Sequence, residues 1–207
     1  MTTTLKLLRF LGPTLLFFGS FVVLPPLLMS YFNNILDNNM LWIYFSCIAY
    51  SLIILLTLRR KKFSYTPRDG FIITFLTWVF ISVLASLPFL SNSLTFYDAL
   101  FEAVSGLTTT GSTVIKDLSL LPDHVLLYRQ LLQWSGGVGL VIVVLAIIPA
   151  VSGGMKVLQA ETSGFADKSF SPRLRETARS LLKFYILITL VCAFSYWIVG
   201  MTWFEAF

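Results

Sequence analysis

Five apolar stretches, at about residues 11–30, 40–58, 71–87, 125–148 and 182–200, constrain this chain more than any motif in it. Each approaches the roughly 20 residues that an α-helix needs to cross the hydrocarbon core of a bilayer. Charged residues make up only 12% of the chain, where a soluble domain carries about 25%. The expected fold is an all-α polytopic membrane protein. Pro25 and Pro26 are expected to kink or end the first span, Pro88 to close the third and Pro149 to end the fourth. The opening Met1-Thr-Thr-Thr-Leu-Lys-Leu-Leu-Arg-Phe10 has the charge of a signal peptide. Its apolar run continues too far, and no small-residue cleavage site follows, so it reads as an uncleaved first helix.

Between the third and fourth spans lies a segment of another kind. Residues 96–105 form an amphipathic pattern too short to cross, followed by Gly106-Leu-Thr-Thr-Thr-Gly-Ser-Thr113. Irregular backbone is tolerated at membrane depth only where it is buried in protein or lines a wet cavity. A short helix ending in a Thr/Gly loop therefore reads as a pore helix that enters and returns on one side. Carbonyl oxygens in such a loop replace the water around a potassium ion, and the helix C-terminus adds partial negative charge. The plainer reading is a Thr/Gly turn between helices.

Loop charges give the layout a direction. One side collects thirteen basic residues against four acidic ones, including Lys6, Arg9, Arg59 to Lys62 and Arg68. The other side holds Lys116 and Arg129 against six acids. The positive-inside rule puts the N-terminus in the cytoplasm and the Thr/Gly loop at the outer face. The basic cluster needs no nucleic-acid partner to explain it.

Other chemistry is sparse. Cys47 and Cys192 lie inside apolar runs and read as packing residues, and His124, beside Asp123, reads as a solvated loop residue. No metal-ligand cluster, nucleophile triad or phosphate loop is present, and the spans hold no acid–base pair with catalytic spacing. An enzyme is not expected, and no cofactor is implied.

The sequence also repeats itself. Thr95-Phe-Tyr-Asp-Ala-Leu100 resembles Thr202-Trp-Phe-Glu-Ala-Phe207 at an offset of 107 residues, and Pro67-Arg68 parallels Pro172-Arg173 at 105. Each unit reads as basic entry, membrane helix and pore-helix start, a duplication common in transport proteins. The expected organisation is an N-terminal helix pair (1–62), a first helix–pore helix–filter–helix repeat (63–150), a cytoplasmic connector (151–181) and the start of a second repeat (182–207).

The run Phe101-Glu-Ala-Val-Ser-Gly-Leu-Thr-Thr-Thr-Gly-Ser-Thr113 resembles the first filter segment of the Trk/Ktr/HKT potassium transporter superfamily, in particular its bacterial Trk-type membrane subunits. Leu127-Tyr-Arg-Gln-Leu-Leu-Gln-Trp-Ser-Gly-Gly-Val-Gly-Leu140, Gly153-Gly-Met155, Gln159-Ala-Glu-Thr162 and Pro172-Arg-Leu-Arg-Glu-Thr-Ala178 extend the likeness along essentially the whole chain. The resemblance implies four helix–pore loop–helix repeats around one potassium path in the bacterial inner membrane. It implies Gly111 as the filter glycine, with Thr108, Thr109, Thr110 and Ser112 beside it offering carbonyl or hydroxyl oxygens. Potassium would lie at Thr109, Thr110 and Gly111. The glycine has a physical reason of its own, since it reaches conformations that a Cβ penalises. Gly136, Gly137 and Gly139 permit close helix packing or, as the resemblance suggests, a bend in an inner helix. Arg129 is expected to reach the interface or a pore-helix acid such as Glu102.

The resemblance also implies partners: membrane lipid, and a cytosolic nucleotide-binding regulatory subunit docking near residues 172–179. The sequence ends at Phe207, six residues into the second pore-helix start. One filter segment cannot surround an ion. The expectation is a subunit completed by other chains carrying the missing repeats; four copies fit poorly, because residues 11–58 and the last span would need places in each copy. The alternative is a non-conducting truncated remnant or an interaction-only membrane fragment.

Overall fold

The computed structural model describes residues 2–59, 67–90, 94–118, 121–151 and 170–206, and every regular element in them is helical. The chain opens with α1 (Thr2–Phe17), a π-helical stretch (Phe18–Val23) and α2 (Leu24–Phe32). Then come α3 (Asn38–Leu58), α4 (Pro67–Leu90), the short α5 (Phe96–Leu107), α6 (Asp123–Val151), α7 (Phe170–Ile198) and α8 (Trp203–Ala206). Among the described residues four stretches are long and apolar enough to cross a membrane: Thr4–Phe32, Asn38–Leu58, Arg68–Leu90 and Glu176–Ile198. The fourth expected span lies within α6. The basic residues 60–62 and the motifs at 153–155 and 159–162 lie outside the described residues.

The first span does not end but continues to Phe32, so of the two expected outcomes, a kink or an end, a local distortion is the one seen at Pro25 and Pro26. Both lack an N–H, so Phe21 and Val22 lose the donors their carbonyls would meet in an α-helix. The chain absorbs this with the π stretch, where the Leu24 N–H bonds back to the Gly19 carbonyl, and such single widened turns are how helices take up a local defect. Pro88 sits inside α4, which runs on to Leu90, and α6 passes Pro149 to reach Val151. The short helix expected to end at 105 runs on to Leu107, and α7 begins earlier than the expected fifth span, at Phe170.

The structure divides into two compact units, 1–137 and 138–207. The core of the first joins Phe18, Val22 and Val23 from the first span to Met40, Ile43 and Cys47 of α3, Ala85 and Phe89 of α4, Ala99 and Ala103 of α5, and Tyr128 and Leu132 of α6. Few of these contacts are polar, and most helix hydroxyls are satisfied within their own helix, the buried Thr77 hydroxyl being an exception without a partner among the described residues. The hydroxyls of Thr14, Ser30, Thr57 and Ser86 donate to carbonyls one turn back, as hydrocarbon demands of any hydroxyl within it. Ser51 donates across helices to the Gly12 carbonyl at 2.6 Å. At one end of the bundle Lys6 pairs with Asp69 at 2.8 Å and Arg9 donates to the last carbonyl of α3, Leu58. In the second unit α7 turns at Gly200 (φ +110°) into α8, with Trp197 stacked on Trp203 at 4.6 Å.

Candidate functional site

The site is built from α5 upward. Its 12 residues span about 18 Å at 1.5 Å per residue, well short of the roughly 30 Å hydrocarbon core. Thr95 caps its first turn, accepting from the Asp98 N–H at 3.3 Å and donating to the Asp98 carboxylate at 2.7 Å. Thr202 and Glu205, which match them in sequence, do the same. Thr202 accepts from the Glu205 N–H at 3.3 Å, and Glu205 takes both the Thr202 N–H and hydroxyl. The two sites share the hydroxyl cap, and the added Thr202 N–H bond makes Thr202/Glu205 a full capping box.

At its other end α5 closes in a Schellman motif. The Thr110 N–H reaches back to the Ser105 carbonyl and the Thr109 N–H to that of Gly106, both at 3.0 Å. That pattern requires a left-handed residue at the turn, and the residue there is Thr109, with φ +56°. A β-branched residue with positive φ is a conformational outlier, and strain of this kind concentrates at functional positions. Two residues on, Gly111 has φ +76°, with no atom within 4 Å of where a Cβ would stand. Conformation, not space, therefore selects glycine at 111.

The five loop residues singled out in the sequence, Thr108 to Ser112, lie together and exposed at the end of this helix. The Thr108 hydroxyl meets that of Thr110 at 2.8 Å, and the Thr109 hydroxyl donates to the Thr108 carbonyl at 2.7 Å. Beyond the loop the chain is tied to the buried face of α5. Ser105 donates its hydroxyl to the Ser112 carbonyl at 2.5 Å. Glu102, three residues earlier and so on the same face, accepts from the Thr113 hydroxyl at 2.9 Å and the Val114 N–H at 3.2 Å. Its other oxygen accepts from Arg129 Nε at 2.5 Å. Glu102 is 1% exposed and Arg129 6%. Of the two destinations expected for Arg129, the structure selects Glu102 of α5.

α6 braces this assembly. Tyr128 donates to the Ala85 carbonyl at 2.9 Å and packs edge-on against Phe89. Gly136 faces the last turn of α5 so closely that a Cβ there would overlap the backbone of Leu107. Packing thus accounts for Gly136, and α6 is continuous α-helix through Gly137 and Gly139. Trp134 meets Phe21 of the π stretch with ring centroids 5.1 Å apart.

His124 departs from expectation: it is 5% exposed, not a solvated loop residue. Its Nε2 lies 3.6 Å from the Asp37 carboxylate. Asp37 also caps α3 through the Asn39 and Met40 N–H groups. Burial alone would raise the Asp37 pKa, but the His124 contact and the two backbone donors together hold it below the ordinary value. No group of three or more metal-ligating side chains occurs among the described residues. Cys47 is buried, Cys192 is exposed, and both are free thiols.

Residues 37–206 match the family model TrkH, described as a cation transport protein. The Trk system potassium uptake protein TrkH of Salmonella typhimurium is 37% identical over 203 residues, 96% of this chain and 42% of its own. TrkH of Halomonas elongata is 38% identical over 97% of this chain and 42% of its own, and TrkG of Escherichia coli 37% over 90% and 40%. The crystal structure of the potassium transporter TrkH from Vibrio parahaemolyticus superposes with a TM-score of 0.78 at 33% identity, over 98% of this chain and 41% of that one. The chain thus spans about two-fifths of the length of these relatives.

Proposed function

This chain belongs to the TrkH cation-transport family, and from that premise we propose that it serves potassium uptake in a Trk-type system, with residues 108–112 as one filter segment of the ion path. The observation that carries the reading is the state of the loop carbonyls. Among the described residues, no hydrogen bond is donated to the carbonyls of Thr109, Thr110 or Gly111, and the loop is exposed at the C-terminal end of a helix. Uncommitted carbonyls beside the negative end of a helix dipole suit a partly dehydrated monovalent cation. Transport needs no bond-making step: the chain orients oxygens, and the ion exchanges water for them.

One segment forms one side of such a path. The remaining sides come from further filter segments of the assembled protein, whichever polypeptide carries them. In this reading the basic ends of the spans face the cytoplasm of a bacterial inner membrane, with the N-terminus on that side. The start of α7, residues 172–179, is the docking candidate for a cytosolic nucleotide-binding regulatory subunit.

Uptake of rubidium, a potassium surrogate, tests the reading in a bacterium lacking its own potassium uptake systems. Cells carrying the inserted protein with its remaining segments supplied by a relative take up the ion, and Gly111→Asp abolishes uptake at equal membrane abundance. Uptake indifferent to Gly111→Asp would reject the filter assignment. Without those segments, absence of uptake by the verified, inserted chain would reject conduction by the chain on its own.

A further inference from the structure

We infer that Ser105, a pore-helix residue outside the loop, sets how many carbonyls the loop turns toward the ion; the inference rests on reading residues 108–112 as a filter. Five consecutive carbonyls are not equivalent here. That of Ser112 accepts the Ser105 hydroxyl at 2.5 Å, and that of Thr108 accepts the Thr109 hydroxyl at 2.7 Å. The three between them accept nothing among the described residues. The two ends of the ladder are thus closed by hydroxyl donors, leaving a run of three open oxygens.

The Ser105 latch is the firmer of the two. Ser105 is 5% exposed on the packed face of α5, whereas residues 109–112 are exposed. An oxygen drawn toward a buried donor on the helix points away from the open side of the loop. A hydroxyl suits this task because it donates one hydrogen bond without adding charge beside a cation. Its removal frees the peptide plane between Ser112 and Thr113 to rotate and offer a fourth oxygen. The loop itself stays attached, because Glu102 still holds Thr113 and Val114. The number of coordinating carbonyls is one of the quantities on which discrimination between cations depends. Ser105 is therefore a positioning residue for selectivity, acting through the Ser112 carbonyl without touching the ion.

Two measurements test this. In the uptake-deficient bacterium, rubidium uptake is measured against competing sodium for the wild type, Ser105→Ala and Ser105→Thr. Ser105→Ala is expected to lower the rubidium-to-sodium preference roughly three- to tenfold, the factor given by one hydrogen bond of ordinary net strength, with membrane abundance unchanged. Ser105→Thr, which keeps the hydroxyl, retains the wild-type preference. An unchanged preference in Ser105→Ala, or an equal fall in both variants, overturns the inference. The second measurement needs no conduction: the Ser112 carbonyl carbon, labelled with carbon-13, is observed by solid-state NMR in bilayers. Its resonance shifts upfield in Ser105→Ala as the hydrogen bond is lost, and an unmoved resonance overturns the latch. Gly111→Asp in the same uptake series separates the two readings: uptake that survives it counts against the filter assignment, while the carbonyl resonance still judges the latch.

Discussion

Replacing Glu102 with glutamine changes one oxygen for an amide group and removes one charge, yet it is expected to be among the most damaging single substitutions in the chain. Glu102 is 1% exposed and Arg129 6%, so water does little to screen the guanidinium once its partner is neutral. Breaking a buried ion pair from one side costs about 3–5 kcal/mol. Arg129→Met leaves the carboxylate with the Thr113 hydroxyl and the Val114 N–H, which puts its cost near the lower end, about 3 kcal/mol. The double variant Glu102→Gln/Arg129→Met buries no charge, and the introduced amide retains an oxygen for Thr113 and Val114. Its loss is expected to be about 1–2 kcal/mol, since neutral replacement of a buried pair is often close to neutral for stability. The singles are therefore non-additive by at least about 4 kcal/mol, more than the roughly 0.5–3 kcal/mol usual for residues in direct contact. Equilibrium unfolding of the purified protein in mixed micelles, titrated with a denaturing detergent, reads all four corners of the cycle. Single losses below about 1 kcal/mol, or a double variant equal to their sum, would refute the view that this pair is a dry strut under the loop.

Three further perturbations follow from the same geometry. Gly136→Ala puts a methyl group into the Leu107 backbone, so it should cost about 1–3 kcal/mol as overpacking and depress uptake; unfolding and uptake at wild-type levels would contradict the close approach. Thr109→Gly removes about 1–2 kcal/mol of left-handed strain and gives back less than about 1 kcal/mol through unfolded-chain entropy. Stability should thus hold or rise while uptake falls, and a loss beyond about 1 kcal/mol would show that Thr109 is not strained. Asp37→Ala should cost about 1 kcal/mol through the lost cap of α3. The folded pKa of Asp37 is lowered from 3.8, so the stabilisation linked to this shift is present above 3.8 and is lost as pH falls through the lower folded value. A difference between wild type and Asp37→Ala that already declines with acid well above pH 3.8 would contradict the assigned sign.

Much of this architecture is legible because membrane solvation leaves few solutions. Apolar runs of bilayer length became the spans, and a short amphipathic run before Thr108 became α5. The Thr95/Asp98 and Thr202/Glu205 pairs became matching helix caps because a cap needs only local sequence. What escaped depended on chain segments meeting in space. The two prolines announced a defect in the first span, but not that a π turn would absorb it and let the helix run to Phe32. The glycine at 111 drew attention to positive φ, yet the residue that turns the helix into the loop is Thr109, where left-handed backbone is least expected. Ser105 carried no signal beyond standing three residues after Glu102 on the face that the loop returns to. His124 looked solvated because its partner, Asp37, comes from a loop far away in the sequence.

The most direct test of the account puts residues 1–206 in place of the aligned part of the Salmonella typhimurium relative, so that the remaining length is supplied. The chimera is expressed in a bacterium that cannot otherwise grow at low potassium. The account predicts growth with the chimera and none with its Gly111→Asp form at equal membrane abundance. Growth that survives Gly111→Asp would contradict it, because the loop at the end of α5 would then not be in the ion path.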